Sequence, residues 1–329
     1  MKSALFGVLL FLAGCAPAGA QNDPHTEGWR HIRVEAAPVD LDPDHPGESR
    51  VGSLIFRGGV ELTSQDVEFG GISGLWVGED LSLMAVSDDG RWIAGRLRLN
   101  AQGAPIGLSN VRIAPLRDEH GEMFANKAAG DAEGLARLAD GRFAVAYEHI
   151  QAVRLYDLDR LGPTGAASMA SPLAGINQLD LNAGLEGIAI ASDGRMLVGA
   201  ERGQESASPL WLGPVSGRNA IAQTTTLDQP FGYGLSSLDR LPDGDFISLH
   251  RFYAPVVGVR IRIGRIDAEN LSHETLLAAL APPLNLDNFE AVSAIPLPNG
   301  GARLFVASDN NFSPTQRTLL YVFDLPGSD

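Results

Sequence analysis

Apolar and polar positions along this chain fall into five blocks of the same design. Each opens on an apolar segment whose second residue is small or acidic: Ile72-Ser73-Gly74-Leu75, Ala132-Glu133-Gly134-Leu135, Leu185-Glu186-Gly187-Ile188, Leu235-Ser236-Ser237-Leu238 and Phe289-Glu290-Ala291-Val292. In the middle three a turn follows, at Ala139-Asp140-Gly141, Ser192-Asp193-Gly194 and Pro242-Asp243-Gly244. Asp-Gly between apolar runs predicts a tight hairpin, because its left-handed positions favour Gly and Asp. A second apolar run comes next, such as Phe143-Ala144-Val145-Ala146 or Leu304-Phe305-Val306-Ala307, and then a third strand, as at residues 153–156 and 319–323. The blocks start about 50 to 60 residues apart, the range of propeller blades.

The pattern predicts an all-β chain folded as a single β-propeller. Segments 50–56 and 60–68 also read as strands, and with the five blocks they predict six blades. Pairing of N-terminal strands with the last blade would close the ring and remove its exposed edge. Helical signal is confined to residues 272–280, and the insertion at 117–122 predicts a loop projecting over one face.

Fifteen residues after the second position of the first four blocks stand Asp88, Glu148, Glu201 and Arg251. In the fifth, Asp309 follows Glu290 by nineteen, an interval assigned to a longer turn through Pro298-Asn299-Gly300-Gly301. A hairpin returns to the end where it started, so this spacing puts Glu133 beside Glu148 and Glu186 beside Glu201. Innermost strands line the channel of a propeller, so Asp88, Glu133, Glu148, Glu186, Glu201, Glu290 and Asp309 are expected at one mouth of it. Carboxylates gathered so closely raise one another's pKa unless positive charge compensates. Arg202, Arg251, Arg317 and His250 are candidates for part of that charge. A divalent cation, Ca²⁺ above others, is the candidate for the rest, because it takes several oxygen ligands. The same recurrence would also arise if these residues only tied neighbouring loops together.

Charge and the N-terminus narrow the setting. The formal charge is −15, so a general field for nucleic acid is excluded and a polyanion would be repelled. Lys2, an apolar run from Ala4 to Ala13 and then Leu12-Ala13-Gly14-Cys15 read as a secretory signal ending in a lipobox. The expected division is a signal over residues 1–14, a tether over 15–29 with Cys15 lipidated, and the propeller over 30–329. The protein is then an exported lipoprotein, periplasmic or anchored to the outer membrane through its lipid alone, and a monomer. An ordinary cleavage near Ala18-Gly19-Ala20-Gln21 is the other reading. Cys15 is the only cysteine, which rules out a disulfide within the chain and a cysteine-based zinc site. No G-x-S-x-G or H-E-x-x-H occurs, so neither a nucleophile elbow nor a zinc-protease helix has an anchor.

Several stretches resemble one family. Asp131-Ala132-Glu133-Gly134-Leu135 with Glu148, Gly184-Leu185-Glu186-Gly187-Ile188 with Glu201, and residues 238–244 are similar to the phytase-like propellers, described as "esterase-like activity of phytase". The most specific stretch runs from Asn288-Phe289-Glu290-Ala291 through residues 308–320. The resemblance implies an exported propeller with ester or phosphoester hydrolase activity on a small molecule. The family's motif positions fall on Glu133, Glu148, Glu186, Glu201, Arg251, Glu290, Asp309, Asn311, Gln316 and Arg317. Asn310 departs from the pattern, where a second acid is expected after Asp309. Dense phosphate-binding motifs of true propeller phytases are not evident, which argues against phytate. Three functions follow: a metal-assisted hydrolase with Arg251, Arg317 and His250 in catalytic roles, a non-catalytic binding propeller of the envelope, and a lactonase-like enzyme.

Overall fold

The computed structural model describes residues 27–47, 49–180, 183–202, 207–298 and 300–327. The signal segment, Cys15 and most of the tether lie outside them. Five antiparallel sheets form five blades. From the inside outward, blade 1 runs Ile72–Val77, Ser82–Ser87, Arg91–Leu99 and Pro105–Pro115, with Arg30–His31 on its outer edge. Blade 2 is Ala132–Arg137, Phe143–Tyr147, Ala152–Tyr156 and Ser168–Met169, and blade 3 is Leu185–Ile190, Met196–Ala200, Ala207–Gly213 and Thr225–Asp228. Blade 4 is Gly234–Arg240, Phe246–Ala254, Gly258–Ile266 and Glu274–Leu280. Blade 5 is Asn288–Pro296, Gly301–Asp309 and Thr318–Pro326, completed by Leu54–Ser64 and Val34–Val39. The first strands of successive blades touch in a closed cycle, which makes them the wall of the central channel.

Among the described residues there is no sixth blade. Leu54–Ser64 pairs with Thr318–Pro326, placing Leu62 opposite Thr318 and Val60 opposite Leu320. Ring closure by N-terminal strands thus occurs, and it consumes the strands that had been counted toward another blade. Residues 272–280 are corrected as well. Glu274–Leu280 is the outer strand of blade 4, held by pairs such as Ile263 with Ala278, so sheet pairing overrides a short helical propensity. Nor is the connection in blade 5 long. It spans 297–300, against 138–142 in blade 2, and the wider interval comes from longer strands.

Hairpin turns form at the three Asp-Gly pairs. Gly141, Gly194 and Gly244 have φ of 90°, 83° and 107°, and the aspartate before each accepts the N–H two residues on. Five apolar clusters each fill one interface between blades. Trp92 and Tyr156 lie between blades 1 and 2, Val198 and Ala146 between 2 and 3, Leu238 and Leu197 between 3 and 4. Leu249 and Val306 lie between 4 and 5, and Phe305 and Ile93 between 5 and 1. Near the channel the blades meet on glycine. A Cβ at Gly134 would lie 2.5 Å from the Glu186 carbonyl oxygen, and one at Gly187 2.7 Å from the Leu238 side chain.

Candidate functional site: an acidic channel mouth

Each innermost strand is bulged at the same point. In pairing with its neighbour, blade 1 skips Ser73, blade 2 Glu133, blade 3 Glu186, blade 4 Ser236 and blade 5 Glu290. A β-bulge leaves one residue out of the ladder and turns its side chain away from the regular alternation. These five are the second residues of the repeated opening motif, so the motif encodes the bulge. At the same end of each hairpin the second strand finishes at or beside Asp88, Glu148, Glu201 and Asp309, and in blade 4 it passes through Arg251 and runs on to Ala254. Asp88, Glu148 and Glu201 donate their N–H to the carbonyls of Gly71, Asp131 and Gly184 at 2.9, 3.0 and 2.9 Å. Gly184 and Gly234 leave room for acids of the preceding blade. An added Cβ would come within 2.9 Å of the Glu148 side chain at Gly184 and 2.6 Å of the Glu201 side chain at Gly234.

The acids interact across the channel. Burial, then Glu186 and Glu290, push the Glu133 carboxyl well above the ordinary range. Burial, then Glu290, Glu148 and Glu201, do the same to Glu186. After burial, the strongest influences on Glu133 are acids alone, and those on Glu186 are acids and Arg251. Burial also raises Glu290, against the opposing pull of Arg251, whose Nε lies 3.4 Å from Glu290 Oε1, and of Asn288 Nδ2, which donates to that oxygen at 2.8 Å. Asp309, 2% exposed, is pushed up to about 8 by burial and by Glu290 and Asp88. Arg251 faces Glu290, Glu186, Glu201 and Glu133. One guanidinium is therefore shared by four acids.

A second focus lies at the mouth end of blade 2. Asp131, Glu148 and His149 each place one ligand atom within 4.8 Å of the others. His149 Nδ1 contacts Asp131 Oδ2 closely and lies 3.4 Å from Glu148 Oε2. Burial and then Asp131 raise Glu148 to about 7. Lys127, on the short helix Lys127–Gly130, reaches Asp88 and lies 3.6 Å from Asp131 Oδ1. Two carboxylates and an excess of acid over base suit a hard cation, whereas the imidazole beside them is a donor of the kind transition metals favour. Asp131, His149 and Lys127 were not among the residues expected here as ligands. The signal for Asp131 was its place opposite Glu148, one residue before the bulged motif.

Other expected residues stand elsewhere. His250 is 0% exposed inside blade 4, its Nε2 2.5 Å from Glu274 Oε1 on the outer strand, and Ser248 bonds the same oxygen. His250 and Arg251 are successive residues of one strand, so their side chains point to opposite faces, and His250 is buried against the outer strand of blade 4. Arg317 donates to Asn285 Oδ1 at 2.7 Å and to the Leu286 carbonyl, with Asp287 at 3.5 Å, and so clamps the entry to blade 5. Gln316 is half-buried, with its N–H on the Ser313 carbonyl. Exposed Asn311 donates its N–H to Asp309 Oδ1 at 2.6 Å. Asn310 Oδ1 accepts the Gly71 N–H at 3.0 Å, a neutral link from blade 5 to blade 1. Arg202 lies 3.3 Å from Glu201 at the rim.

Fold and site together define a five-bladed β-propeller with a carboxylate-lined channel mouth. The chain belongs to the phytase-like family, described as "Esterase-like activity of phytase", whose pattern matches residues 67–312. Among solved structures it is similar to a protein of unknown function from Dyadobacter fermentans, at 13% identity over 91% of this chain and 100% of that one, TM-score 0.46. It is also similar to a gluconolactonase from Xanthomonas campestris, at 14% identity over 90% and 98%, TM-score 0.43. A PQQ-bound aldose sugar dehydrogenase from Streptomyces coelicolor aligns at 11% identity over 89% and 99%, TM-score 0.42. A search of the curated proteins finds no match.

Proposed function

We propose that the acidic mouth binds a divalent cation, Ca²⁺ foremost, and hydrolyses an ester or phosphoester of a small molecule. The observation that carries this reading is the pair Glu133, buried, and Glu186, half-buried, which face each other and further acids while four acids share the single guanidinium of Arg251. A buried charge of that kind needs a counter-charge or a proton. Asp131 and Glu148 would hold the ion through their oxygens, with His149 positioning Asp131. When bound it supplies a Lewis acid for the ester oxygen and lowers the pKa of water. Arg251, close to Glu290 yet facing the channel acids, would steady negative charge developing on the substrate oxygen. Glu186, kept proton-hungry by its neighbours, would take the proton of the attacking water. In the balanced reaction, the water oxygen bonds the acyl carbon or phosphorus, the bond to the alkoxy oxygen breaks, and the water's proton ends on the alcohol. Support for an esterase over a phytase is the shortage of positive charge at the mouth. Export by the N-terminal signal and lipidation of Cys15 belong to the same proposal and place the reaction outside the cytoplasm.

The test is hydrolysis of 4-nitrophenyl acetate and of bis(4-nitrophenyl) phosphate by chelator-stripped protein with and without Ca²⁺. Turnover restored by the ion and reduced by about 10² or more in Glu186→Gln is the expected result. Turnover indifferent to stripping, or unchanged in the variant, overturns the reading.

A further inference from the structure

Blade 4 is built differently from its neighbours at the mouth. The second strands of blades 2 and 3 stop at Tyr147 and Ala200, one residue short of their acids. In blade 4 the ladder runs past Arg251 through Phe252 with Arg260, Tyr253 with Val259 and Ala254 with Gly258. A hairpin therefore stands above the rim. It carries Tyr253, Val256 and Val257, which are 61%, 98% and 41% exposed. Beside it lies the lead into the innermost strand, with Phe231 93% exposed and the Tyr233 ring 5.5 Å from that of Phe252. A Cβ at Gly232 would come within 2.7 Å of the Phe252 ring, so the glycine lets the two segments meet.

The flank joins the acidic mouth without a break. Gly234, next after Tyr233, is the residue against which the Glu201 carboxylate packs, and Phe252 follows Arg251 directly. Uncovered apolar side chains in one place mark a binding surface more often than chance. Charge then limits the ligand. Next to this flank stand Glu201, Glu186 and Glu290 with Arg251 shared among them, while Arg262 lies over the Tyr233 ring at 5.7 Å and Arg260 pairs with Phe252. The side chains left uncovered, Phe231, Tyr253, Val256 and Val257, are apolar or aromatic, and an uncharged apolar arm is the chemistry they fit.

We infer that the substrate is a carboxylic ester whose acyl group is an uncharged apolar chain lying along Phe231, Tyr233, Phe252, Tyr253, Val256 and Val257, with its carbonyl at the acidic mouth. This rests on the hydrolase reading above. Water adds across the acyl C–O bond, leaving the apolar carboxylic acid and the free alcohol.

The test separates the two claims. Calorimetry on the Ca²⁺-loaded full chain compares octanoyl 4-nitroanilide with acetyl 4-nitroanilide, amides that bind as the esters would. Each buried methylene is worth about fourfold in affinity, so the octanoyl compound is expected to bind at least about tenfold more tightly even if only part of its chain is covered. The exposed double variant Phe231→Ser/Val256→Ser should erase that preference, with its melting temperature unchanged. Equal binding of the two anilides, or a preference that survives in the variant, overturns the inference. So does a variant that keeps the preference but loses self-association or adsorption to phosphatidylcholine vesicles, since the flank then serves a second copy or a lipid surface. A chain-length preference without hydrolysis of any 4-nitrophenyl ester keeps the apolar flank and removes the esterase.

Discussion

Glu148 and Asp309 hold protons at pH values where ordinary carboxyls have lost them, about 7 and about 8. The cause is burial first and neighbouring acids second. A raised native pKa means that the folded protein binds more protons than the unfolded chain between about pH 4 and 8, so stability falls as pH rises through that window. The metal-free protein is therefore expected to melt several degrees lower at pH 8 than at pH 5. Glu186→Gln/Glu290→Gln, which removes two of the competing charges, should flatten the slope. A melting temperature that rises with pH in thermal scans of stripped protein would contradict this. Arg251→Met should cut ester turnover about 10²-fold and lower stability, because four acids lose their shared cation. An unchanged rate would remove Arg251 from the chemistry. The sequence showed these residues through their spacing. It did not show that His250 packs against Glu274 while Arg251 meets the acids, because the spacing marks the position and not which of two successive strand residues faces it.

Single glycines at the scale of the element separate turn from packing. Gly194 sits at φ 83° with no atom near its absent Cβ, so Gly194→Ala meets only backbone strain, on the order of 1 kcal/mol. Gly187 has no such φ, but its Cβ would strike Leu238 at 2.7 Å between blades 3 and 4. Gly187→Ala is expected to cost about 2–3 kcal/mol through overpacking. Urea unfolding of both variants measures the order, and a larger loss in Gly194→Ala would reverse the assignment. The Asp-Gly turns were legible because a local rule fixes them. The strand at Glu274–Leu280 was not, since its partner Gly258–Ile266 supplies the reason for its form.

Closure governs the whole molecule. Leu54–Ser64 covers the edge of Thr318–Pro326, and Val34–Val39 adds beyond it, so chain start and chain end share one blade. Deletion of residues 1–65 should strand that edge and yield aggregated or unfolded protein, read by size exclusion and circular dichroism. Deletion of residues 1–26 should leave the fold intact. A soluble monomer with the original melting temperature after the longer deletion would refute closure as the source of stability. The repeat revealed the propeller from sequence, yet the blade count depended on a contact between residues more than 250 apart in the chain, such as Leu62 with Thr318.

A divalent cation at the acidic mouth would supply the charge that its carboxylates lack. Calorimetric titration of Ca²⁺ into stripped wild-type protein, at pH 8 where fewer acids hold protons, measures whether it binds. Saturable binding in the micromolar to millimolar range is expected, with a rise in melting temperature that follows occupancy. Asp131→Asn/Glu148→Gln should lose most of that affinity, and Glu186→Gln/Glu290→Gln should weaken it by removing charge from across the channel. No binding by the wild-type protein, or equal binding by Asp131→Asn/Glu148→Gln, would contradict a cation at the mouth.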